Sequence, residues 1–346
     1  MNERIARLRE QLEEPLLVTN PTNVAYLVGF KSSNTVLLVD EEHVRLFTDF
    51  RYIQAARAVG GVDAVQTRRA VLGELAETLS GRIAFESSHL TYDAFLTLER
   101  GGLDLVPRSD LVERLRAVKD ETELAAIRRA CAITDRVYER LAAEVPFVGR
   151  TERDVSWDLM RLFHEEGGEG LAFESIVGAG PTGSRPHARA GDRTIGRGEL
   201  VVIDAGCTID GYASDCTRTF ATGPVDGEAA EAYAVVQAAQ AAALGAIRAG
   251  LTGLEADAVA RRVVDDSPFA GTFGHGLGHG LGLDVHELPR MSTETSDVLE
   301  PGNVVTVEPG VYRDGRFGVR IEDDVVVTAD GIENLTGLRK DLVEVG

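Results

Sequence analysis

The chain has 346 residues and a mass of 37.2 kDa, a length typical of about two domains. Its 36 basic and 56 acidic side chains give a formal net charge of −20, which argues against binding to nucleic-acid phosphates. Hydrophobic residues make up 44% of the chain, so it has enough apolar material for a core and is not intrinsically disordered. The acidity also fits a salt-adapted host, and composition alone leaves that point open.

Cysteine usage and the N-terminus indicate the compartment. Cys131, Cys207 and Cys216 are an odd number in a long chain, which is not the pattern of a disulfide framework. The N-terminal residues are charged and lead into an amphipathic pattern without the apolar stretch of a signal peptide. No apolar run approaches the roughly 18 residues that span a bilayer. We therefore expect a cytoplasmic protein in a reducing compartment, with no membrane partner.

The first 115 residues alternate helical and strand patterns, which predicts an α/β unit. They contain neither a Gly-rich phosphate loop nor a cluster of metal-ligating side chains, so a structural or substrate-shaping role is expected. The predicted elements are a helix at 2–13, a strand at 15–19, a hairpin of 36–39 and 44–47, helices at 50–59 and 70–79, a strand at 82–85, and a helix at 91–100.

From about residue 110 the pattern changes to long, charged amphipathic helices. We place a domain boundary near residue 115, which gives domains at 1–115 and 116–346. The predicted elements that follow are helices at 109–118, 121–143 and 151–166, a strand near 172–178, a hairpin at 199–220, helices at 228–249 and 253–264, a Gly/His-rich segment at 271–287, and a second hairpin at 303–328.

The two predicted hairpins resemble each other, since each has a β-branched strand ending in an acid, an Asp-Gly turn and a second acid on the return strand. In the first hairpin the acids are Asp204 and Asp215. If Asp210 and Gly211 form a two-residue turn, Asp215 faces Gly206, two residues beyond Asp204 on the same face. The two carboxylates then become diagonal neighbours, about 7–8 Å apart at Cα, within side-chain reach of one ion.

The second hairpin carries Glu308 and Glu322, and its register depends on the loop length. A two-residue turn would place these acids on opposite faces of the hairpin. A three-residue loop, Asp314–Arg316, would place them directly across from one another. The interpretation of this hairpin as a functional site therefore requires the three-residue loop.

Four carboxylates on half-buried faces need a compensating charge, because like charges at that range raise one another's pKa. Two divalent cations would supply +4 and make such a site formally neutral. The alternative is that the acids lie on solvated strand faces. Two matched pairs in similar hairpins favour the metal site over that alternative.

Three of the seven histidines, His275, His279 and His286, fall within twelve residues of the Gly-rich segment. His275 and His279 have the i, i+4 spacing of a zinc-binding helix. Four glycines between and beside them would cost about 1 kcal/mol each in a helix. The segment is therefore predicted to be an extended strand that an ion or ligand approaches closely.

The candidate ligands follow one another in the order of a known family: Asp204, Asp215, His279, Glu308 and Glu322. This order resembles the pita-bread dinuclear metallopeptidases, which comprise methionine aminopeptidase, aminopeptidase P and prolidase, with creatinase as a metal-free relative. The matching strings are Ile-Asp-Ala-Gly, Ser-Asp-Cys-Thr-Arg-Thr-Phe, Gly-His-Gly-Leu-Gly-Leu-Asp-Val-His-Glu, Val-Glu-Pro-Gly and Val-Arg-Ile-Glu-Asp. The resemblance also covers residues 20–30 and the connector at 116–130. It implies a creatinase-like α/β N-terminal domain and an α+β pita-bread domain with a mostly antiparallel, pseudo-symmetric curved sheet.

The resemblance also assigns metal-binding roles. It implies that Asp204 chelates one metal, that His279 and Glu308 bind the other, and that Asp215 and Glu322 bridge both. Four oxygen ligands and one imidazole suit Mn²⁺, with Co²⁺ or Zn²⁺ as alternatives. Two such ions hold a bridging hydroxide as nucleophile and polarise the scissile carbonyl.

Further roles follow from the same resemblance. Glu308 is the candidate for shuttling the proton of the water, as general base and then acid. His187 and His286 match the family's upstream and downstream histidines, which bind the substrate carbonyl or the tetrahedral intermediate. Arg320 is expected to orient the bridging carboxylates from behind, and His275 to form part of the pocket wall. The cysteines near the ligands are interpreted as packing residues.

The separate N-terminal domain indicates the Xaa-Pro-specific members or creatinase, and the five ligands argue against the creatinase type. The resemblance therefore implies cleavage of Xaa-Pro bonds in small proline-containing peptides, and a homodimer in which the N-terminal domain of one chain trims the other's cleft. Arg290 matches a position that binds the dipeptide carboxylate in prolidases but also occurs in aminopeptidases, so the choice between the two stays open. The alternatives are a creatinase-like, non-peptidase hydrolase and a catalytically silent binding module, which predicts loss of ligands.

Overall fold

The computed structural model describes residues 3–346 and divides into two compact units, the first ending at Arg116 and the second spanning Ala117–Gly346. The helix predicted at 2–13 begins at a residue outside the described range. Its described part, α1 (Glu3–Arg9), buries Ile5 and Leu8. Among the helices of residues 3–346, none is both long and apolar enough to cross a membrane.

The first unit alternates helices and strands, as its sequence pattern predicts. After α1 its helices are α2 (Pro21–Val28), α3 (Ile53–Ala56), α4 (Val71–Thr78), α5 (Tyr92–Arg100) and α6 (Leu111–Ala117). Its strands are β1 (Leu16–Val18), β2 (Thr35–Val39), β3 (Val44–Asp49), β4 (Asp63–Thr67), β5 (Arg82–Glu86) and β6 (Asp104–Arg108). They form one mixed sheet in the order β4-β3-β2-β1-β5-β6, in which β2 pairs antiparallel with β1 and β3 and the other pairs are parallel.

Three elements of this unit were not predicted, and two predicted helices are shorter, since α1 ends at Arg9 and not at residue 13. The missed helix α2 is only eight residues long and starts at Pro21, with the Asn20 side chain accepting from Thr22 N as N-cap. The missed strands β4 and β6 lie at the sheet edges, where exposure weakens the hydrophobic pattern. The helix predicted at 50–59 is only α3 (Ile53–Ala56) in the structure, so the predicted length is wrong by more than one helical turn.

The second unit contains the remaining elements. Its α-helices are α7 (Glu121–Glu144), α8 (Glu152–Glu165), α9 (Gly227–Ala246) and α10 (Gly253–Asp265), with a 3₁₀ turn at Gly180–Ser184. Its strands are β7 (Ile176–Ala179), β8 (Leu200–Asp204), β9 (Thr208–Ile209), β10 (Tyr212–Ala213), β11 (Thr217–Ala221), β12 (Gly278–Gly280), β13 (Glu287–Met291), β14 (Val304–Val307), β15 (Gly310–Arg313), β16 (Phe317–Arg320), β17 (Asp323–Val327) and β18 (Ile332–Asn334).

The strands of the second unit pair antiparallel throughout their described ladders. They form the sheets β11-β8-β7 and β13-β12-β14-β17-β18, with the short pairs β10-β9 and β15-β16. Buried residues of α7 and α8 pack in one core with β8, and those of α9 and α10 pack in another with β14. Each main sheet is thus covered by a helix pair, as the α+β pita-bread prediction requires.

The first hairpin has the predicted two-residue turn. Asp210 and Gly211 both have positive φ, +52° and +83°, which is the signature of a type I′ turn. Tyr212 pairs with Ile209 next to the turn, and Thr217 pairs with Asp204 in the same register further along. The register that makes Asp204 and Asp215 diagonal neighbours is confirmed.

The second hairpin has the three-residue loop that its functional interpretation requires. Arg313 pairs with Phe317 across the loop 314–316. The same register continues beyond the acids, where Val307 pairs with Asp323. Glu308 and Glu322 therefore lie opposite each other, and this prediction is confirmed.

Candidate metal centre

Each of the five predicted ligands lies in a short strand of the second unit or within two residues of one, which fixes its backbone. Asp204 ends β8, and His279 lies in the middle of β12. The remaining ligands lie in the short segments next to strands, namely Asp215 before β11, Glu308 after β14 and Glu322 between β16 and β17. The carboxylates of Asp204, Asp215 and Glu322 belong to buried residues that are 8%, 5% and 1% exposed.

The fold brings these ligands, separated by up to 118 residues in sequence, into one cluster. Ligand atoms of Asp215, His279 and Glu322 all lie within 4.8 Å of one another. His279 Nε2 lies 3.4 Å from Glu308 Oε1 and 3.8 Å from Asp215 Oδ2. The fifth residue, Asp204, adds its charge to those that raise the pKa values of Asp215 and Glu308. All five predicted ligands are therefore brought together.

Unpartnered oxygens show that this cluster fits a divalent cation. Among residues 3–346, Asp204 Oδ1, Asp215 Oδ1 and Glu322 Oε1 are buried and have no hydrogen-bond donor. A buried polar atom without a partner is costly, and a coordinated cation removes that cost. Oxygens with one imidazole are a donor set suited to hard or borderline divalent ions.

Without a cation the carboxylates resist ionisation. Burial raises the pKa of Asp215 and of Glu322 well above the usual range, and the charges of neighbouring carboxylates raise both further. Burial also raises the pKa of Glu308 to about 7, against the opposing effect of Arg320. Burial lowers the pKa of His279, so its imidazole is neutral and has a lone pair for a metal.

Arg320 holds the acids through both a direct and an indirect contact. Its Nη2 donates to Asp204 Oδ2 at 2.5 Å, and its Nε donates to Thr217 Oγ1 at 3.0 Å. The Thr217 hydroxyl in turn donates to Glu322 Oε2 at 2.6 Å. Arg320 was expected to orient the bridging pair, but its direct partner is Asp204. It reaches Glu322 through the Thr217 hydroxyl, and its Nε lies 4.0 Å from Glu308 Oε2.

Two residues of this network were missed in the sequence. Thr217 follows Asp215 by two residues within the Ser-Asp-Cys-Thr string, and Tyr312 follows Glu308 by four. The Tyr312 hydroxyl accepts from Arg320 Nη1 at 2.8 Å. A threonine or tyrosine in a strand looks the same in sequence whether or not it bonds to the acids. Only the short spacing of these two residues from Asp215 and Glu308 could have identified them.

His275 lies on the same network through its contact with Tyr312, and its place in the pocket wall stays a prediction. Its Nε2 is 2.9 Å from the Tyr312 hydroxyl and its Nδ1 is 2.8 Å from Gly276 O. Burial, together with the charge of Arg320, lowers the pKa of His275 to about 3. This imidazole is neutral at physiological pH.

The other two predicted histidines are exposed. The His286 ring lies 4.2 Å, centroid to centroid, from the ring of the ligand His279. His187 follows the 3₁₀ turn, and its charge is among the influences that lower the pKa of Glu308 and of His286. Both imidazoles are thus in the electrostatic neighbourhood of the acids and open to solvent.

The Gly-rich segment at 271–287 contains no helix, as predicted, and the part of it around His279 is the predicted strand, β12. A Cβ on Gly278 would collide with the carbonyl oxygen of Thr306, and a Cβ on Gly280 would collide with that of Leu288. Glycine at these positions lets β12 lie close to its neighbours and holds His279 at the level of the acids.

Arg290 stands in β13 as the strand partner of His279. It is exposed, and its guanidinium forms no ion pair with any residue in the described range 3–346. Its charge helps to lower the pKa values of His279 and His286, although burial is the main cause in both. A free cation therefore stands beside the histidines.

The three cysteines are free and buried. Burial raises the pKa of each thiol, so none is a thiolate suited to bind a metal. Cys131 donates to Asp324 Oδ2, which also accepts from Asp215 N at 2.9 Å. Their interpretation as packing residues agrees with this burial.

An antiparallel α+β unit with a buried cluster of four carboxylates and one imidazole defines a divalent-metal hydrolase of the pita-bread class. The sequence matches the family model of metallopeptidase family M24 over residues 125–329, and that of the creatinase/prolidase N-terminal domain over residues 4–118. The chain belongs to metallopeptidase family M24 and is a metallo-exopeptidase. The resemblance inferred from its motifs is confirmed.

The similarity to known proteins extends over the whole chain. It is 36% identical over 349 residues to the uncharacterized peptidase YqhT of Bacillus subtilis, with 99% of each chain covered. The solved Xaa-Pro dipeptidase from Bacillus anthracis matches at TM-score 0.95 and 35% identity, with 99% of each chain covered. The X-Pro aminopeptidase from Thermotoga maritima matches at TM-score 0.88 and 33% identity, covering 99% of this chain and 100% of that one.

Proposed function

We propose that the protein is a dinuclear metallo-exopeptidase that hydrolyses the Xaa-Pro bond of small proline-containing peptides. The observation that carries this proposal is the buried cluster of five ligand side chains with three unpartnered carboxylate oxygens. The similarity over the whole chain to an Xaa-Pro dipeptidase and an X-Pro aminopeptidase supports the proline specificity. A silent binding module is disfavoured because no ligand is lost.

Asp204 would bind one ion, and His279 and Glu308 would bind the other. Asp215 and Glu322 would bind both ions. The proposed ions are Mn²⁺, with Co²⁺ or Zn²⁺ as alternatives. When bound, two such ions lower the pKa of a shared water and polarise the scissile carbonyl.

The protein's own side chains would move the proton and stabilise charge. Glu308 would accept the proton of the attacking water and return it to the leaving proline nitrogen, acting as general base and then general acid. His187 and His286, both exposed beside the acids, would donate hydrogen bonds to the carbonyl oxygen as it gains charge. Arg320 would keep Asp204 in place through its 2.5 Å bond.

Between the two substrate classes we propose the dipeptide. Arg290 is a cation beside His279 and His286 that has no ion-pair partner in residues 3–346. The free carboxylate of an Xaa-Pro dipeptide would pair with it, whereas in a longer peptide that carboxylate lies further along the chain. Small proline-containing dipeptides are therefore the proposed substrates.

The test compares Mn²⁺-dependent proline release from alanyl-proline with release of the N-terminal residue from alanyl-prolyl-proline. Activity on the dipeptide supports the dipeptidase, and activity on the tripeptide alone would assign an aminopeptidase P. If neither is cleaved while both metals are bound, the proposed function is wrong. Arg290→Met should raise the KM for the dipeptide at least tenfold and leave the tripeptide unaffected.

The cytoplasmic location and the homodimer stay predictions. The division into a substrate-shaping first domain and a catalytic second domain is likewise part of the proposal. Sedimentation velocity of the purified protein measures the oligomeric state directly, and a monomer at micromolar concentration would contradict the predicted dimer.

A further inference from the structure

Helix α10 presents an ion pair to the Gly-rich segment that leads into β12. Asp257 and Arg261 lie one turn apart, and the Arg261 guanidinium donates to both Asp257 oxygens, at 2.7 and 2.9 Å. The Asp257 side chain is 1% exposed and that of Arg261 is 23% exposed. Arg261 also lies over the ring of Phe273, with its Cζ 4.3 Å from the centroid.

The pair binds the backbone of the segment at every second residue. Arg261 donates to Phe273 O at 2.6 Å and to His275 O at 2.7 Å. Asp257 Oδ1 accepts from Leu277 N at 3.0 Å. Residues 273, 275 and 277 are thus held at the spacing at which a neighbouring β-strand bonds alternate residues.

Strand β13 does not accompany the segment at this point, while on the other side Leu277 O accepts from Glu308 N at 2.8 Å. In the ladder between β12 and β13, Gly278 pairs with Met291, and β13 ends there. Residues 273–277 therefore extend beyond the paired part of β12, where their backbone groups need other partners. The side chains of one helix supply partners for Phe273 O, His275 O and Leu277 N. The charged donor and acceptor make these bonds stronger than those between neutral groups.

The segment held in this way contains His275 and leads directly to the predicted ligand His279. His275, whose carbonyl oxygen is bound by Arg261, contacts the Tyr312 hydroxyl at 2.9 Å, and Tyr312 contacts Arg320. His279 follows two residues after Leu277, the last residue held by the pair. Small displacements of the segment would therefore move the imidazole ligand and loosen the network behind Asp204.

We propose that Asp257 and Arg261 are positioning residues that hold residues 273–277 in place, so that His279 meets the metal and His275 lines the pocket. Their part in turnover rests on the proposed peptidase function, whereas their part in metal binding does not. The pair acts through the backbone, and none of its hydrogen bonds goes to the side chain of a predicted metal ligand.

The experiment titrates metal-stripped protein with Mn²⁺ by calorimetry, alongside thermal unfolding and kcat and KM at saturating Mn²⁺. Arg261→Met should weaken Mn²⁺ binding about tenfold or more, as loss of a group that orients a metal ligand does. Arg261→Lys keeps the charge but lacks the fork that reaches two carbonyl oxygens, so it should restore binding only in part. Arg262→Met, at the exposed neighbour on the same helix, is the matched control and should leave Mn²⁺ binding unchanged.

A lower melting temperature with wild-type Mn²⁺ affinity, kcat and KM in Arg261→Met would overturn the proposal, because a structural role alone predicts that result. If Arg261→Met does not fold, the Mn²⁺ affinity, kcat, KM and melting temperature of Asp257→Asn and Arg261→Lys decide the question in the same way. Absence of peptidase activity in the wild type would contradict the proposed function, and the Mn²⁺ titration would still decide the role of the ion pair.

Discussion

Replacing Thr217 by valine tests the network behind the metal ligands. Thr217 is fully buried, and its hydroxyl donates to Glu322 Oε2 at 2.6 Å while accepting from Arg320 Nε at 3.0 Å. Valine has nearly the same shape, so packing is kept and the change removes only these two bonds. The bond from Arg320 has a charged donor and contributes about 1.5–3 kcal/mol, and the bond to Glu322, which resists ionisation in the metal-free protein, contributes about 1 kcal/mol. Since Arg320 keeps its bonds to Asp204 and Tyr312, we expect a loss of about 3 kcal/mol in the free energy of unfolding.

Thr219→Val is the matched control on the same strand. The Thr219 hydroxyl also has two bonds in the buried core, one to Arg320 O and one from Arg320 N, but both partners are neutral backbone groups. Its loss should cost about 2 kcal/mol. Only Thr217→Val removes a bond to a predicted ligand, Glu322, so only this variant should weaken Mn²⁺ binding, by about 10- to 100-fold.

The assay combines chemical denaturation of the metal-free protein with calorimetric Mn²⁺ titration of both variants. Thr217→Ser keeps the hydroxyl and should retain most of the Mn²⁺ affinity. The reasoning would be refuted if Thr217→Val bound Mn²⁺ as tightly as the wild type and lost no more stability than Thr219→Val.

Three further predictions concern charge in the second unit. Asp215→Asn removes one charge from a proposed bridging ligand, so Mn²⁺-dependent proline release should be abolished, and full activity would contradict the assignment. In the metal-free protein the pKa of Glu308 is raised from 4.5 to about 7, so the unfolded state binds fewer protons across that window. The free energy of unfolding should therefore fall by about 3 kcal/mol as pH rises from 4.5 to 7. Denaturation at pH 5 and 7.5 should show this fall in the wild type and a smaller one in Glu308→Gln, and a pH-independent wild type would refute it. Lys119→Met removes the cation 3.2 Å from the buried Glu287 carboxylate and should lower the free energy of unfolding by about 3–5 kcal/mol in the same assay. A loss below about 1 kcal/mol would contradict this prediction.

Much of the metal site was predictable because it depends on local chemistry. An Asp-Gly turn between β-branched strands sets the hairpin register within a few residues, and the register in turn decides which acids share a face. This is why the placement of Asp204 beside Asp215 could be worked out before any coordinates. The loop at 314–316 was open between two lengths, and the position of Glu308 opposite Glu322 required the longer one.

Other parts of the fold were not predictable from local pattern. The edge strands β4 and β6 have little of the alternation that marks a half-buried strand, and β6 contains Pro107. Helix α2 is too short for its periodicity to stand out, and its start at a proline is typical of a turn as well as of a first helical residue.

The sequence by itself determined the identity and order of the five ligands, the two-residue turn that aligns Asp204 with Asp215, and the family to which the chain belongs. Only the tertiary structure decided what surrounds them. Arg320 bonds Thr217 across 103 residues, and Asp257 bonds the backbone of Leu277 across 20. Such contacts join side chains whose own neighbours in sequence carry no sign of the partner, because a hydrogen bond depends on where two segments meet in space. For the same reason the sequence did not reveal that Arg320 bonds Asp204 directly and not the two proposed bridging carboxylates.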